Sequence, residues 1–217
     1  METILITGGN RGIGLEMARQ YSTRGDEVIV ACRDNSPELT ELGVRVISGV
    51  DVDSAKSIDG LASELEGIRL HRLVNNAGIL CRDSLEELDF ADIERQFRVN
   101  AMGPLRVTAA LRPNLDHGSR VFIITSRMGS IDDNTSGGYY GYRLSKAAVN
   151  MAGKSLSVDL KPAGIGVFLL HPGYVATDMT GNQGTPVGES AGGLIARMDE
   201  LTMDQTGTFW HQEGYPL

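Results

Sequence analysis

Tyr142 and Lys146 stand four residues apart in the run Tyr142-Arg143-Leu144-Ser145-Lys146. In a helix that spacing puts both side chains on one face, about one turn apart. A free phenol ionises near ~10 and is a poor acid or base at neutral pH. An ammonium beside it favours the phenolate and pulls that value toward working range. A tyrosine tuned in this way can give a proton to a carbonyl oxygen or take one from an alcohol. Among its neighbours only Tyr142 has this spacing, since Tyr139 meets Arg143 and Tyr140 meets Leu144. Taken alone, the pair could equally decorate a surface helix. Its meaning depends on what the rest of the chain places beside it.

A second chemical signal lies at the start. Residues 3–6 read as a short buried strand, and Thr7-Gly8-Gly9-Asn10-Arg11-Gly12-Ile13-Gly14 follows at once. Ile13, Met17, Ala18 and Tyr21 then recur at helical spacing, which gives strand, glycine loop, helix. The glycines permit a tight bend and close backbone approach, and the helix N-terminus offers free N–H groups to a pyrophosphate. The spacing is T-G-x-x-x-G-x-G, not G-x-G-x-x-G. The next strand, Val28 to Cys32, ends where an acid would bind the adenosine ribose hydroxyls and mark NAD(H). Here Cys32 and Arg33 hold that place, and Arg11 lies in the glycine loop. Two guanidinium groups converging on the ribose suit a 2′-phosphate, and so NADP(H) in preference to NAD(H). Both could instead be solvated surface charges, with Asp34 partly neutralising Arg33.

The elements that must position these groups follow in order. Val44 to Ile47 reads as the third strand, Asp51-Val52-Asp53 as the loop after it, and residues 54–66 as a helix capped by Ser54. Arg72 to Gly78 is a strand ending in Asn75-Asn76-Ala77-Gly78. Its amides can bond neighbouring strand ends, and Gly78 lets a ligand approach. A long helix is expected from about Asp89 to Leu111, with Phe90, Ile93, Phe97, Leu105 and Val107 in its pattern and Pro104 as a kink. Asn100 lies within it, where asparagine is disfavoured unless its side chain has work. Arg120 to Thr125 is a buried strand followed by Ser126 and Gly129. A polar, glycine-rich loop at 132–138 then leads to the Tyr142 helix. The small residues Ser145, Ala147, Ala148 and Ala152 of that helix, and Gly153 beyond them, invite close packing by another helix. Ile165 to Leu170 is a sixth strand, leading into His171-Pro172-Gly173-Tyr174-Val175-Ala176-Thr177. A helix over 187–201 and a short strand near 208–210 complete the pattern.

Strands alternating with helices give a doubly wound parallel sheet with ligands at the carboxyl ends of its strands. The glycine loop, Asn76, Ser126 and Pro172-Gly173 all fall at such ends. The 217 residues suffice for one sizeable core, and nothing resembles an interdomain linker. A hydrophobic fraction of 41% and a charged fraction of 22% are those of a soluble globular protein. The net charge of −8 argues against nucleic acid or an anionic membrane as partner. No run approaches the ~18 apolar residues of a membrane span. Because Met1 to Thr7 enters a strand at once, no signal peptide is expected. Two cysteines, Cys32 and Cys81, make no disulfide framework, which points to a cytoplasmic protein. Four scattered histidines suggest no metal site, His171 reads as a structural strand-end residue, and Cys81 as a loop thiol.

Taken in order, Thr7-Gly8-x-x-x-Gly12-x-Gly14, Asn75-Asn76-Ala77-Gly78, Asn100, Ser126-x-x-Gly129, Tyr142-x-x-x-Lys146 and Pro172-Gly173 resemble the short-chain dehydrogenases/reductases. The tail and the Ser126-Arg127-Met128-Gly129-Ser130 run resemble a shorter branch, the C-factor-like carbonyl reductases. The resemblance implies a single-domain Rossmann-type sheet of about seven strands, order 3-2-1-4-5-6-7, flanked by helices. It implies NADP(H)-dependent interconversion of a small carbonyl compound and its alcohol. Tyr142 would be the general acid and Ser126 would hold the substrate carbonyl. Lys146 would lower the Tyr142 pKa and bind the nicotinamide ribose, and Asn100 would hold a relay water. The cofactor site would comprise Gly8, Asn10, Arg11, Gly12, Ile13, Gly14, Arg33, Asn76, Ala77, Gly78, Pro172, Gly173 and Val175. Asp51 and Val52 would border the adenine, and Thr177 would bind the carboxamide. A homodimer or homotetramer is implied, as is an alternative role as a dinucleotide-binding regulatory protein with little turnover. Ser126 and Tyr142 lie a few residues further apart than is usual, the excess falling in the 132–138 loop. Thr125 is an alternative hydroxyl, although the x-x-Gly after Ser126 favours the latter. Tyr139 or Tyr140 could line the substrate pocket.

Overall fold

Strands buried on both faces must be apolar at every position, and those of this chain are short runs of valine, isoleucine and leucine. A computed structural model describes residues 1–217. Its strands are β1 (Thr3–Thr7), β2 (Glu27–Ala31), β3 (Arg45–Ile47), β4 (Arg72–Asn75), β5 (Arg120–Ile124), β6 (Gly166–His171) and β7 (Phe209–His211). All pairings are parallel and form one sheet of order β3-β2-β1-β4-β5-β6-β7, as expected. The helices are α1 (Gly12–Arg24), α2 (Pro37–Leu42), α3 (Ala55–Glu64), α4 (Phe90–Phe97), α5 (Gly103–Ala110), α6 (Tyr140–Leu160) and α7 (Val187–Glu200). Ser54 caps α3, its hydroxyl accepting from Ser57 N at 3.3 Å.

Alternate strand residues feed two cores. Leu5, Leu73, Val121, Ile123 and Leu169 pack on one face with Ile58 and Leu61 of α3, Val107 of α5 and Val149 of α6. Ile4, Ile6, Val30, Phe122 and Leu170 pack on the other with Met17 and Tyr21 of α1, Leu39 of α2 and Leu194 of α7. The sheet therefore lies between two helical layers. The direction in which successive strands are added reverses between β1 and β4, which places a crevice at their carboxyl ends.

Two expectations are corrected. The helix over 89–111 is not continuous: α4 and α5 flank a π-helical turn, Arg98–Met102, in which Gly103 N bonds back to Arg98 O. Pro104 lies in the first turn of α5, directly after that π turn, where the helix changes register. Of the small residues of α6, Ser145 meets another helix as foreseen, while Gly153 does not. Gly153 faces the sheet, where a Cβ would meet Leu169 Cδ2 at 2.7 Å. Ser145 is buried and bonded to Asn100. The outward stripe of α6 is instead Leu144, Met151 and Val158, and Phe97 and Leu105 of the α4–α5 run are exposed as well.

Candidate active site

The glycine loop is shaped by contacts that exclude side chains. A Cβ on Gly14 would lie 2.4 Å from Asn76 Nδ2 and 2.5 Å from Gly8 O, and one on Gly8 would lie 2.8 Å from Ala77 Cα. Asn76 donates to Thr7 O (3.1 Å) and Gly8 O (3.0 Å), so β4 braces the loop from below. Thr7 Oγ1 accepts from the amides of Asn76 and Ala77. Asn75 turns the other way and donates to Thr108 of α5. Asn76 thus bonds the end of the neighbouring strand, as its position suggests, whereas Asn75 ties β4 to a helix.

The loop forms one wall of a cleft of about 700 Å³ along the strand ends. Gly8, Asn10, Arg11, Gly12, Ile13 and Gly14 line it, followed by Arg33, Asp51 and Val52. Asn76, Ala77, Gly78, Tyr142, Lys146, Pro172 and Thr177 continue it. Of the residues named from sequence, Gly173, Val175, Ser126 and Asn100 lie outside that wall. Val175 is buried and bridged to Thr185, and Ala176 lines the cleft in its place. Gly173 faces His211, whose Nε2 is 3.5 Å from where its Cβ would be. Asp178, Met179 and Asn182 also line the cleft. They belong to an irregular segment with no periodicity, and no signal in the sequence singled them out.

Tyr142 and Lys146 share one face of α6 and are both buried. Lys146 Nζ lies 5.5 Å from the Tyr142 ring centroid and donates to Ile124 O at 3.0 Å. The Ser126 hydroxyl accepts from Met128 N at 3.2 Å and lies near enough to the Tyr142 phenol to draw its pKa down. Thr125, the alternative hydroxyl, is engaged with Asn150 Oδ1 at 2.6 Å. The electrostatics depart from expectation. Burial pushes the phenol up to about 12, against a smaller downward pull from Ser126. Burial also pushes the Lys146 ammonium down to about 8. Desolvation penalises charge on both partners, so the lysine does not make the phenol acidic. Tyr142 keeps its proton through neutral pH, the state a proton donor needs.

Asn100 sits in the π turn with its amide spent on protein. Nδ2 donates to Ile79 O (2.8 Å) and Ser145 Oγ (3.0 Å), while Oδ1 accepts from Ile79 N (2.8 Å). No donor of this side chain remains for the relay water. Its observed work is to tie α6 to the loop after β4. That loop supplies a contact absent from any sequence pattern: the Asp83 carboxylate accepts from Tyr140 N and, at 3.0 Å, from Gly141 N. It caps the helix that carries Tyr142 and Lys146. The extra residues before α6 are absorbed by Gly137, Gly138 and Tyr139, all at positive φ. Gly129 lets the turn after β5 rest on α6, since a Cβ there would lie 2.7 Å from Lys146 C.

At the far end of the cleft Arg33 is exposed and forms no ion pair, whereas Arg11 Nη1 meets Asp178 Oδ2 at 3.5 Å. The proposed neutralisation of Arg33 by Asp34 does not occur; Asp34 instead accepts from Asn10 Nδ2 through its backbone oxygen. The Cβ-free loop, the N-terminus of α1 and an unpaired guanidinium fit a dinucleotide bearing a phosphate. His171 ends β6 with its ring edge-on to His211, centroids 5.0 Å apart, and Nδ1 unpartnered. Its role is at the strand end, as expected. No three histidine, cysteine, aspartate or glutamate side chains gather as metal ligands.

Residues 2–187 match the family model described as short chain dehydrogenase. The chain belongs to the short-chain dehydrogenases. It is 44% identical over 222 aligned positions to the 1-hydroxy-2-glutathionyl-2-methyl-3-butene dehydrogenase of Rhodococcus sp. (strain AD45), covering 99% of this chain and 98% of that protein. C-signal of Myxococcus xanthus is 48% identical over 148 residues, 65% of this chain and 88% of its own, which supports the C-factor-like branch. The NADPH-bound carbonyl reductase from chicken fatty liver superposes with a TM-score of 0.91 at 29% identity, covering 100% of this chain and 98% of that one. The short-chain dehydrogenase described here is thus an oxidoreductase whose architecture is similar to that of a carbonyl reductase. None of its helices is long and apolar enough to cross a membrane.

Proposed function

We propose that this protein reduces a ketone or aldehyde to an alcohol with NADPH. The observation that carries the reading is Tyr142 and Lys146 together, buried on one face of α6 with Lys146 Nζ 5.5 Å from the phenol ring centroid, and opening on the cleft that the glycine loop lines. Bound reduced nicotinamide supplies the hydride. The glycine loop and the α1 N-terminus bind the pyrophosphate, and Arg33 and Arg11 bind the 2′-phosphate. Thr177 takes the carboxamide, Asp51 and Val52 border the adenine, and Lys146 takes the nicotinamide ribose. Ser126 orients the substrate carbonyl. Tyr142, protonated at neutral pH, delivers its proton to the carbonyl oxygen, and the Lys146 ammonium stabilises the phenolate left behind. The reaction reverses when alcohol and oxidised cofactor are supplied.

The likeness to C-signal supports a second reading, a dinucleotide-binding regulatory protein with little turnover. Fluorescence titration with NADPH and NADH, followed by a panel of aldehydes and ketones read at the nicotinamide absorbance, decides between them. Tighter NADPH binding with turnover of at least one carbonyl is expected. NADPH binding without turnover across the panel would favour the regulator. The exposed stripe of Leu144, Met151 and Val158, with Phe97 and Leu105, supports assembly into a homodimer or homotetramer. Both cysteines are free, which suits a reducing cytoplasm.

A further inference from the structure

The turn after β6 is held by residues that no motif of the sequence singled out. Pro172 and Gly173 are half-buried, and Pro172 lines the cleft. A proline has no N–H, so its carbonyl is the only main-chain group by which hydrogen bonding can fix it. Ser190 of α7 is fully buried, and its hydroxyl donates to Pro172 O at 2.7 Å. That is the only hydrogen bond made by either Pro172 or Gly173. Just before them, Gln212 N donates to His171 O at 2.9 Å.

In this contact α7 is the fixed partner. Ala191, Leu194 and Met198 are fully buried in the core, and at the helix end Asp199 pairs with Arg24 (2.9 Å) and Arg72 (2.6 Å). The turn has only its one hydrogen bond and a glycine at φ 86°. Removing the hydroxyl therefore frees the turn and leaves α7 in place. The turn also stands at the reacting end of the cleft. Strand β6 pairs with β5, whose last residue, Ile124, receives Lys146 Nζ on its carbonyl two residues before Ser126. Asp51 and Val52 follow β3, at the opposite edge of the sheet.

We propose that Ser190 is a positioning residue for hydride transfer, because its bond to Pro172 O fixes the turn that walls the reacting end of the cleft. The proposal rests on the carbonyl-reduction reading above. Ser190 does not line the cleft and acts only through Pro172. The groups assigned to the pyrophosphate and the adenosine lie on other elements. Loss of the hydroxyl should therefore loosen the nicotinamide end and leave most of the cofactor affinity intact.

The test compares Ser190→Ala with Ser119→Ala. Ser119 is also buried, and its hydroxyl also donates to a carbonyl at 2.7 Å, that of Leu70, but it precedes β5 at the amino edge of the sheet. For each variant, titration gives the NADPH dissociation constant and the emission of bound NADPH. Single-turnover reduction of a carbonyl that the wild type accepts gives the hydride-transfer rate, and melting temperature reports stability. Both variants should melt lower, since each strands a buried carbonyl. Only Ser190→Ala should slow hydride transfer, by about 10- to 100-fold, the scale of a small misplacement of reacting groups. It should also shift the emission of bound NADPH toward that of free cofactor, with the dissociation constant within about threefold of wild type. If Ser190→Ala matches wild type in rate or in emission, the hydroxyl serves stability alone and the proposal fails while the reduction reading stands. It fails in the same way if Ser119→Ala slows transfer as much, or if the dissociation constant rises as steeply as the rate falls. A wild type that binds NADPH but reduces no carbonyl sinks the reduction reading and this proposal with it.

Discussion

Tyr142→Phe keeps the ring and its packing but removes the only transferable proton beside Ser126. It should lower kcat by at least ~100-fold, the scale of a lost general acid, while the NADPH dissociation constant changes little. Lys146→Ala should damage both quantities, because one ammonium serves the ribose and the phenolate. Tyr139→Phe and Tyr140→Phe should keep most activity and alter mainly apparent substrate affinity. Single-turnover and titration data on the four variants check this. Wild-type-like turnover in Tyr142→Phe would move the protein to the regulatory reading. A second residue-scale expectation concerns His171, whose imidazole burial pushes down to about 3. An ordinary imidazole ionises near ~6.5, so the unfolded chain takes up that proton first. The contribution is present above about 6.5 and is lost as pH falls toward 3. His171→Phe should therefore lose up to ~2 kcal/mol less stability than wild type between pH 7 and pH 5. Urea unfolding at the two pH values measures it, and parallel losses would show that His171 is not the titrating group.

At the scale of elements, the active site depends on how α6 begins. Tyr140 and Gly141 present unpaired amides, and the carboxylate that receives them comes from the loop after β4. Asp83→Ala should cost ~1–2 kcal/mol of stability, the usual value of a lost cap, and lower kcat as the first turn carrying Tyr142 frays. Asp83→Asn should recover part of the stability. If Asp83→Ala matches wild type in both melting temperature and kcat, the cap does not position the site. The π turn at 98–102 belongs to the same scale. It swings Asn100 inward to bond Ile79 and Ser145, which joins the loop after β4 to α6 a second time.

For the whole molecule, the apolar stripe Leu144, Met151 and Val158 on α6 is exposed, as are Phe97 and Leu105 on the preceding helices, and no segment of the chain covers them. Light scattering at micromolar concentration should give the mass of a dimer or tetramer, and Met151→Glu should shift it toward the monomer. A monomeric wild type would refute the assembly. The sheet itself depends on no partner, since its two faces are filled by the chain's own helices.

The sequence alone determined whatever follows from neighbours along the chain. Strand, glycine loop and helix in succession specify the phosphate-binding turn, since the bend and the free amides are local properties. Apolar runs alternating with helical periods specify the parallel sheet, while its strand order came from the family resemblance. The spacing of Tyr142 and Lys146 puts them on one helical face. Only the tertiary structure decided the rest, because it depends on residues brought together from afar and on what burial does to charge. Asp83 caps a helix 58 residues on, and Arg11 meets Asp178 across 167 residues. No periodicity reports such pairs. The lysine beside Tyr142 suggested an acidic phenol, but desolvation raises the phenol more than its surroundings lower it, and burial penalises the lysine's charge as well. The apolar pattern of α4 to α6 likewise could not say which face meets the sheet. Gly153 was legible as small, but its neighbour, Leu169 and not a second helix, was fixed only when β6 came to lie beneath it.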